Sequence, residues 1–300
     1  MNIDTDLSNC TLCPRNCRTN RYTGVGYCGQ SEKIKLARAA LHYYEEPFIS
    51  GTNGSGAVFF SGCNLGCVFC QNQSVSHEGI GKEISVERLS DIFMELQEQK
   101  AHNINLVTPT HFIPQIIQAI IKARQSGLSI PVVYNTSSYE KPESIRLLEG
   151  YIDVYLPDFK YWDDELAGKY SKAPNYRDIA INAIENMIKQ KPVQVKDNDG
   201  LLKEGVIVRH MVLPGHTKDS MKIIEYLYST YKNNISISLM SQYTPLPHVS
   251  GYPELNRKVR KREYEKVVDY ALSLGVENAF IQEGDTAKDS FIPEFNYEGV

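Results

Sequence analysis

Residues 61–72 read Ser61-Gly62-Cys63-Asn64-Leu65-Gly66-Cys67-Val68-Phe69-Cys70-Gln71-Asn72, directly after the apolar, β-prone run Ala57–Phe60. Three thiolates in so short a loop are able to bind one face of an iron–sulfur cube, because soft thiolates favour iron–sulfur clusters and zinc. The loop holds no fourth cysteine and no histidine. A [4Fe–4S] cluster bound by Cys63, Cys67 and Cys70 therefore keeps one iron open to an exchangeable ligand.

Two other interpretations of this loop stand beside the open-iron cluster. A structural zinc site requires a fourth ligand, which His77 is near enough in the sequence to supply. Three buried thiols without a metal are the second alternative. The cysteine spacing, the preceding strand and the aromatic Phe69 all favour the cluster, and Gly62 and Gly66 allow the backbone to turn tightly around it.

Outward from this loop, the chain alternates β-prone runs with helical patterns. Ser85 caps a predicted helix whose apolar residues form one stripe: Val86, Leu89, Ile92, Phe93 and Leu96. Further strands are predicted near residues 104–107, 131–135, 152–156, 206–212, 235–240 and 278–282, and helices near 114–124, 142–149, 175–190, 218–229 and 258–274. The alternation predicts an α/β fold with a parallel sheet and a complete or partial barrel, whose ligand lies at the carboxyl ends of the strands.

Two segments interrupt this alternation. Residues 192–205 include Asp197-Asn198-Asp199-Gly200 between short β-prone runs, which predicts a small hairpin. Residues 1–35 carry cysteines and show no clear periodicity. We expect residues 1–50 to form a cysteine-rich metal-binding extension, and residues 51–300 to form the barrel with a C-terminal extension.

The composition excludes several classes of function. The 300 residues carry a net charge of −4, with 42% apolar and 23% charged residues, so no nucleic-acid or anionic-membrane surface is expected. The basic run Arg257–Arg262 is interpreted as a solvated helix face. Met1–Asn9 lacks the features of a secretory signal, and no stretch is apolar enough to span a membrane. We expect a cytoplasmic protein.

Four more cysteines precede the barrel in the pattern Cys10-x2-Cys13-x3-Cys17-x10-Cys28. In a reducing compartment, thiols at such short spacing indicate a metal site rather than disulfides. Four thiolates are able to close a tetrahedral zinc site or to hold a second [4Fe–4S] cluster. The spacing is compatible with both.

The pattern Cys63-x3-Cys67-x2-Cys70, with Phe69 before the last cysteine, resembles the signature of the radical S-adenosylmethionine (SAM) superfamily. Further segments are similar to its pyruvate formate-lyase-activating-enzyme-like branch: residues 51–72, 103–114, 157–160, 209–215 and 289–295. The resemblance implies a partial (β/α)6 barrel in which SAM chelates the open iron. One electron, expected from a flavodoxin-type or ferredoxin-type donor, then cleaves SAM to methionine and a 5′-deoxyadenosyl radical.

The resemblance also implies residues around SAM. Asp158 and Lys160 match an Asp-Leu-Lys motif of glycyl-radical-enzyme activases, in which the aspartate helps to hold a monovalent cation and the lysine reaches the SAM carboxylate. Asn135 stands where those activases carry an aspartate, which weakens the expected cation site. Arg209 is expected to face SAM, and His210 to pack between strand and helix, because neighbours on a strand point to opposite faces.

Three further residues complete the expected cofactor site. Phe69 belongs to the cysteine motif, and Tyr243 occupies roughly the place of a SAM-contacting histidine in the activases. Most superfamily members carry Gly-Gly-Glu-Pro after the second strand, whereas this chain carries Thr108-Pro109-Thr110-His111. Backbone carbonyls of this segment and the hydroxyls of Thr108 and Thr110 are expected to accept hydrogen bonds from the SAM amino group. His111 is interpreted either as a proton carrier or as a structural residue at the start of a helix.

Three functions follow from these residues. The first is a radical SAM enzyme that modifies a peptide or a small molecule, and the N-terminal cysteines and the missing Gly-Gly-Glu-Pro favour this interpretation. Alternatively, it is an activase that installs a glycyl radical on a partner protein. The third possibility is a structural or regulatory metal-binding protein without turnover, whose reduced cluster would give the same EPR spectrum with and without SAM.

Overall fold

The computed structural model describes residues 6–282 and 293–300. Met1–Thr5 of the N-terminal segment, and residues 289–292 of the last similar segment, lie outside the described residues. The strands are β1 (Ile34–His42), β2 (Ser55–Phe60), β3 (Lys82–Ile84), β4 (Ile104–Val107), β5 (Val132–Thr136), β6 (Val154–Pro157), β7 (Val195–Lys196), β8 (Leu202–Met211), β9 (Ser236–Met240) and β10 (Ala279–Ile281).

The helices alternate with these strands as the sequence predicts. They are α1 (Pro47–Ser50), α2 (Gln73–Ser76), α3 (Val86–Glu98), α4 (Ile113–Gln125), α5 (Pro142–Leu147), α6 (Asp164–Ser171), α7 (Tyr176–Gln190), α8 (Thr217–Tyr231) and α9 (Lys261–Leu274). Helix α3 illustrates why they form: Ser85 Oγ accepts the Arg88 N–H at 3.1 Å, and Leu89, Ile92 and Phe93 are fully buried. Each such side chain contributes about 1.5–3 kcal/mol by burial.

The strands form one sheet in the order β10-β9-β8-β6-β5-β4-β2-β1-β3. All neighbours from β10 to β2 are parallel, while β1 is antiparallel to both β2 and β3. The carboxyl ends of the parallel strands therefore meet at one edge. The predicted fold class, a partial radical SAM type of barrel with a cysteine-rich N-terminus, is confirmed.

Five elements were not predicted from the sequence, and one minor element agrees with its prediction. The unpredicted elements are β1, β3, α1, α2 and α6, and β1 joins the main sheet from within the predicted N-terminal extension. The hairpin predicted at residues 192–205 is present, since Val195 pairs with Glu204 and Gly200 closes the turn at φ 81°. The division at residue 50 stays a prediction.

The C-terminal residues pack back onto β1. The Ala39 N–H donates to the Glu298 carbonyl at 2.8 Å, and the Tyr297 N–H donates to the Ala37 carbonyl at 3.2 Å. The ring of Phe295 lies edge-on to Phe59, with centroids 5.3 Å apart. Within residues 6–282 and 293–300, no helix is both long and apolar enough to cross a membrane.

Candidate functional site

The cysteine loop, residues 61–72, begins where β2 ends and forms one wall of a cavity that Cys63, Cys67 and Cys70 all line. The ends of β4, β5, β6, β8 and β9 form the opposite wall through Thr108, Asn135, Asp158, Arg209 and Met240. Phe69 and Lys160 also line it. Three of the seven predicted metal ligands and six of the seven predicted cofactor residues thus share one cavity at the expected edge of the sheet.

The cysteine loop is anchored by the end of helix α6. The N–H groups of Gly66 and Val68 donate to the carbonyls of Ser171 and Tyr170 at 3.2 and 2.8 Å. The Ser171 hydroxyl donates to Cys67 Sγ at 2.9 Å, and it also contacts the Tyr161 hydroxyl at 2.6 Å. The unpredicted helix α6 therefore positions one of the thiols.

The thiols of the cysteine loop are partly buried. Burial raises the pKa of Cys63 and Cys67, with Lys160 acting in the opposite direction. The Leu65 N–H donates to Cys63 Sγ at 3.3 Å, and the Ser76 hydroxyl lies 3.2 Å from Cys70 Sγ. Hydrogen bonds of this kind stabilise metal-bound thiolates and tune their cluster.

The arrangement of the thiols fits a cluster. Among the residues that the structure describes, no three His, Cys, Asp or Glu side chains converge closely enough to hold a single metal ion. The three thiols border the cavity from separate points of the loop. A four-iron cube takes its thiolates at separate corners, so this arrangement suits a [4Fe–4S] cluster better than zinc. His77 does not line the cavity, and its Nδ1 contacts the Ser76 hydroxyl at 2.9 Å.

Four charged side chains, here called the pocket tetrad, line the same cavity as the cysteine loop: Glu45, Asp158, Lys160 and Arg209. Asp158 binds Lys160 Nζ at 2.7 Å through one oxygen and Arg209 Nε at 2.8 Å through the other. Arg209 Nη1 binds Glu45 at 3.0 Å, and Arg209 Nη2 donates to Asn135 Oδ1 at 2.6 Å. Two positive and two negative groups balance, so the wall holds fixed dipoles without a net charge.

The pKa values of Asp158 and Lys160 keep both of these groups ionised. Burial alone would raise the pKa of Asp158, but the Arg209 guanidinium and the Lys160 ammonium lower it below its usual range. Burial likewise acts against charge on Lys160, and the Asp158 carboxylate raises its pKa overall. An ammonium that stays charged is suited to an anionic ligand such as a carboxylate.

Three acidic residues of this region were missed by the sequence analysis. Glu45 reaches the cavity from the segment before α1, which the sequence marks only as polar and aromatic. Glu46 and Glu140 are buried, and burial raises the pKa of each to about 7. Glu140 accepts hydrogen bonds from the hydroxyls of Thr110 and Thr136, at 2.6 and 2.5 Å. It thereby ties the loop after β4 to the end of β5.

The loop that replaces Gly-Gly-Glu-Pro divides into a cavity part and a buried part. Thr108 lines the cavity in a left-handed conformation, φ 59°, with its N–H bonded to the Asn135 carbonyl at 3.0 Å. Thr110 is buried, does not line the cavity and donates its hydroxyl to Glu140, and its contact with the cofactor stays a prediction. His111 is buried; burial lowers its pKa to about 3, and its Nε2 contacts the Ser61 carbonyl at 2.6 Å.

Two other predicted residues lie away from the cavity. His210 sits between strand and helix, with its ring nitrogens contacting the Phe159 carbonyl at 2.7 Å and the Ser220 hydroxyl at 2.8 Å. Tyr243 does not line the cavity: its hydroxyl donates to the Leu255 carbonyl at 2.8 Å, and its ring packs behind Phe69 at 5.9 Å. Tyr243 thus supports Phe69, and its direct contact with the cofactor stays a prediction.

The N-terminal cysteine site, defined as Cys10, Cys13, Cys17 and Cys28, packs beside the cysteine loop. The sulfurs of Cys17 and Cys28 lie 3.5 and 3.4 Å from the point where a side chain on Gly26 would begin. The carbonyl of Cys28 lies directly against Gly62, where any Cβ would overlap it. The two groups of cysteines, separated in the sequence, are thus neighbours in the fold.

A family model described as Radical SAM superfamily matches residues 57–227, from β2 to the middle of α8. The chain belongs to the radical SAM superfamily. Members of this superfamily are enzymes, and the matched residues of this radical SAM chain include the cysteine loop and most of the cavity wall.

Two curated relatives extend the similarity over more of this radical SAM chain. An uncharacterized protein, MJ0674 of Methanocaldococcus jannaschii, is 32% identical over 274 residues, which cover 88% of this chain and 75% of the relative. A pyruvate formate-lyase-activating enzyme of Clostridium pasteurianum is 23% identical over 228 residues, covering 72% and 86%. The chain is thus related to the activating-enzyme-like branch.

Solved structures show the same fold. Streptococcus suis SuiB bound to S-adenosylmethionine aligns with a TM-score of 0.52 and 14% identity over 74% of this chain and 48% of SuiB. HydG, a maturase of the [FeFe]-hydrogenase, aligns with a TM-score of 0.50 and 15% identity over 72% and 48%. The chain spans about half the length of these structures.

Proposed function

We propose that this chain cleaves SAM reductively at a [4Fe–4S] cluster bound by Cys63, Cys67 and Cys70. The observation that carries the proposal is the cavity itself, where three thiols on one wall face the pocket tetrad on the other. When bound, the cluster and SAM supply one electron and a 5′-deoxyadenosyl radical that abstracts hydrogen from a substrate. The chain's own residues bind, orient and enclose these groups.

Lys160 is proposed to bind the SAM carboxylate, and Asp158 to hold Lys160 in position. Arg209 fixes Asp158 and Asn135 against one another, so the wall keeps its geometry when the ligand enters. Phe69, backed by Tyr243, presents an apolar face beside the thiols and restricts water. Thr108 is proposed to meet the SAM amino group in place of the missing Gly-Gly-Glu-Pro.

The substrate is proposed to be a peptide or a small molecule that reaches the open edge of the sheet. An activase acting on a partner protein is the second candidate, supported by the 23% identity with the Clostridium pasteurianum activating enzyme. In both cases we propose a cytoplasmic protein that takes its electron from a flavodoxin-type or ferredoxin-type donor.

The test is SAM cleavage by the reconstituted, reduced protein, with 5′-deoxyadenosine quantified by mass spectrometry. The Cys63/Cys67/Cys70→Ala variant sets the background. Samples receive either the protein fraction or the small-molecule fraction of a source-cell lysate. Stimulation by protein supports an activase or a peptide modification, whereas stimulation only by small molecules excludes the activase. No deoxyadenosine above background in any sample, despite a full cluster, refutes the proposal.

A matched pair of lysine variants tests the site within that assay. Lys160→Met removes the cavity ammonium, whereas Lys169→Met removes an exposed lysine that pairs with Glu254 on the outside of α6. We expect Lys160→Met to weaken SAM binding roughly 10- to 100-fold, by loss of a charge-assisted hydrogen bond. Lys169→Met should bind SAM like the wild type.

A further inference from the structure

The N-terminal cysteine site contains a buried cation without a carboxylate partner. Arg21 is 0% exposed. Its guanidinium donates to three backbone carbonyls, those of Gln30, Ser31 and His111, and it lies over the Phe112 ring at 5.7 Å. Across the part of the chain that the structure describes, no Asp or Glu forms an ion pair with it.

Cysteine sulfurs of the site lie close to this guanidinium. Arg21 Nη1 lies 3.8 Å from Cys10 Sγ, and Cys28 is also within electrostatic reach of Arg21. Arginine stays protonated at any physiological pH, and a buried charge needs a counter-charge. Four thiolates around a [4Fe–4S]²⁺ core carry a net charge of about −2, which supplies it.

Three contacts connect this site to the cysteine loop. The carbonyl of Cys28 lies against Gly62. Arg21 Nη1 donates to the His111 carbonyl at 2.6 Å, and the imidazole of His111 contacts the Ser61 carbonyl at 2.6 Å. The N-terminal site therefore meets the loop directly before Cys63.

A further bond closes the connection on the other side of Cys63. Arg15 Nε donates to the Asn64 carbonyl at 2.7 Å, and Arg15 Nη1 donates to the Lys172 carbonyl next to α6. The loop is therefore held on both sides of its first thiol by residues that lie between or beside the N-terminal cysteines.

We propose that the N-terminal cysteine site binds a [4Fe–4S] cluster through its four thiolates, since these side chains, like those of the cysteine loop, do not converge on the position of a single metal ion. The buried counter-ion of this centre is Arg21, and the centre holds the loop around Cys63 in its cluster-binding conformation. The inference deepens the proposed function by giving the cysteine-rich extension a positioning role. Arg21 contacts neither cavity nor substrate, so it acts through the thiolates and through His111.

The first experiment isolates the N-terminal site in the full-length Cys63/Cys67/Cys70→Ala chain, so its outcome does not depend on SAM cleavage. Zinc, iron and sulfide are measured after anaerobic purification and again after reconstitution with each metal alone. Roughly four irons with four sulfides per chain support the cluster, whereas roughly one zinc without iron refutes it. A chain that retains neither metal refutes the proposal.

The second experiment tests Arg21 as the counter-ion in the same chain. Metal release to a chromophoric chelator is compared for Arg21→Met, which removes the charge, and Arg21→Lys, which keeps it. We expect Arg21→Met to weaken metal binding roughly 10- to 100-fold and Arg21→Lys to weaken it less. Arg124→Met is the matched control, because Arg124 also donates to two backbone carbonyls but lies near no thiol. Native affinity in Arg21→Met, or an equal loss in both Arg21 variants, contradicts the role of its charge.

The third experiment tests the connection to the loop in a chain that keeps Cys63, Cys67 and Cys70. The variant Cys10→Ser/Cys28→Ser is reconstituted, and the EPR spectrum of the reduced cluster is recorded with and without SAM. We expect lower occupancy of that cluster and a smaller SAM-induced change in its spectrum. Full occupancy with a native SAM-induced change would show that the two sites are independent. This result would refute the positioning role and would leave the proposed SAM cleavage unaffected.

Discussion

The two cysteine sites of this chain differ in what surrounds them. The cysteine loop follows a strand of a continuous sheet and is covered by the main hydrophobic core. The N-terminal site has a small buried cluster of its own, formed by Leu7, Cys10 and Leu12. The charges differ as well, since Asp158 lies between two cations whereas Arg21 is surrounded by carbonyls and sulfur.

This difference indicates two uses of thiolates. We expect the fold around the cavity to be stable without a cluster, because buried apolar side chains supply the free energy of folding there. The N-terminal residues bury little apolar surface of their own, so we expect their order to depend on the proposed N-terminal cluster and on contacts with the barrel. The first site places chemistry on a stable scaffold, and the second makes part of the scaffold.

The largest expected effect tests this dependence directly. Replacing Cys10, Cys13, Cys17 and Cys28 by serine should make residues 6–33 cleavable by protease roughly 100-fold faster, which corresponds to about 3 kcal/mol of lost local stability. The Cys63/Cys67/Cys70→Ala chain should be cleaved there at the wild-type rate. Fragments are followed by mass spectrometry. Equal cleavage of both variants would remove the distinction between the two sites.

The second prediction concerns the charges of the cavity. Asp158→Asn leaves Lys160 and Arg209 facing each other without their shared carboxylate, so we expect a loss of about 3–5 kcal/mol in the free energy of unfolding. Glu143→Gln breaks an exposed pair with Arg146 and should cost less than about 1 kcal/mol. Denaturant unfolding measures both. Similar values for the two variants would show that the tetrad is solvated.

The third prediction concerns Glu140, which joins two loops of the cavity wall. A carboxyl whose pKa is raised by folding stabilises the protein most below its unfolded pKa, near 4.5, and this stability is lost as the pH rises towards about 7. In Glu140→Gln, the fall in unfolding free energy across this window should be smaller by up to about 3 kcal/mol. Glu46 titrates in the same window in both chains, so it cancels in the difference. Parallel curves for wild type and variant would contradict the pKa shift.

The smallest expected effect separates Tyr243 from the cavity. Tyr243→Phe removes the hydrogen bond to the Leu255 carbonyl, so the free energy of unfolding should fall by about 1 kcal/mol. The dissociation constant for SAM, measured by EPR titration, should stay at the wild-type value. A weakening of SAM binding by roughly tenfold or more would support the cofactor contact that the sequence predicts.

The sequence was sufficient for elements whose pattern is local. Helix α3 was predicted because Ser85 and its apolar stripe are visible in one window, and the cysteine loop because its spacing is short. Strand β1 was missed because both of its faces are largely buried, so Leu36-Ala37-Arg38-Ala39-Ala40 shows no alternation. Helix α6 was missed because its eight residues present only a short apolar face.

The acidic residues of the cavity region needed the fold. Glu45 is separated from Arg209 by most of the chain, and no spacing rule connects them. Glu140 follows Tyr139 in a polar turn before α5, where a carboxylate is ordinarily solvated. Its burial becomes visible only when Thr110 and Thr136 are brought onto it. The short spacing of cysteines in the sequence thus predicts candidate metal ligands, whereas the partners of buried carboxylates become visible only in the folded chain.

The pairing of the C-terminal residues with β1 has a consequence for self-association. Beyond the three residues of β3, the tail occupies backbone groups of Ala37 and Ala39 that would otherwise face solvent. Open backbone at a sheet edge is a template for strand exchange and aggregation between chains. Removal of residues 297–300 should therefore appear first as concentration-dependent oligomers in light scattering, before any change at the distant thiols.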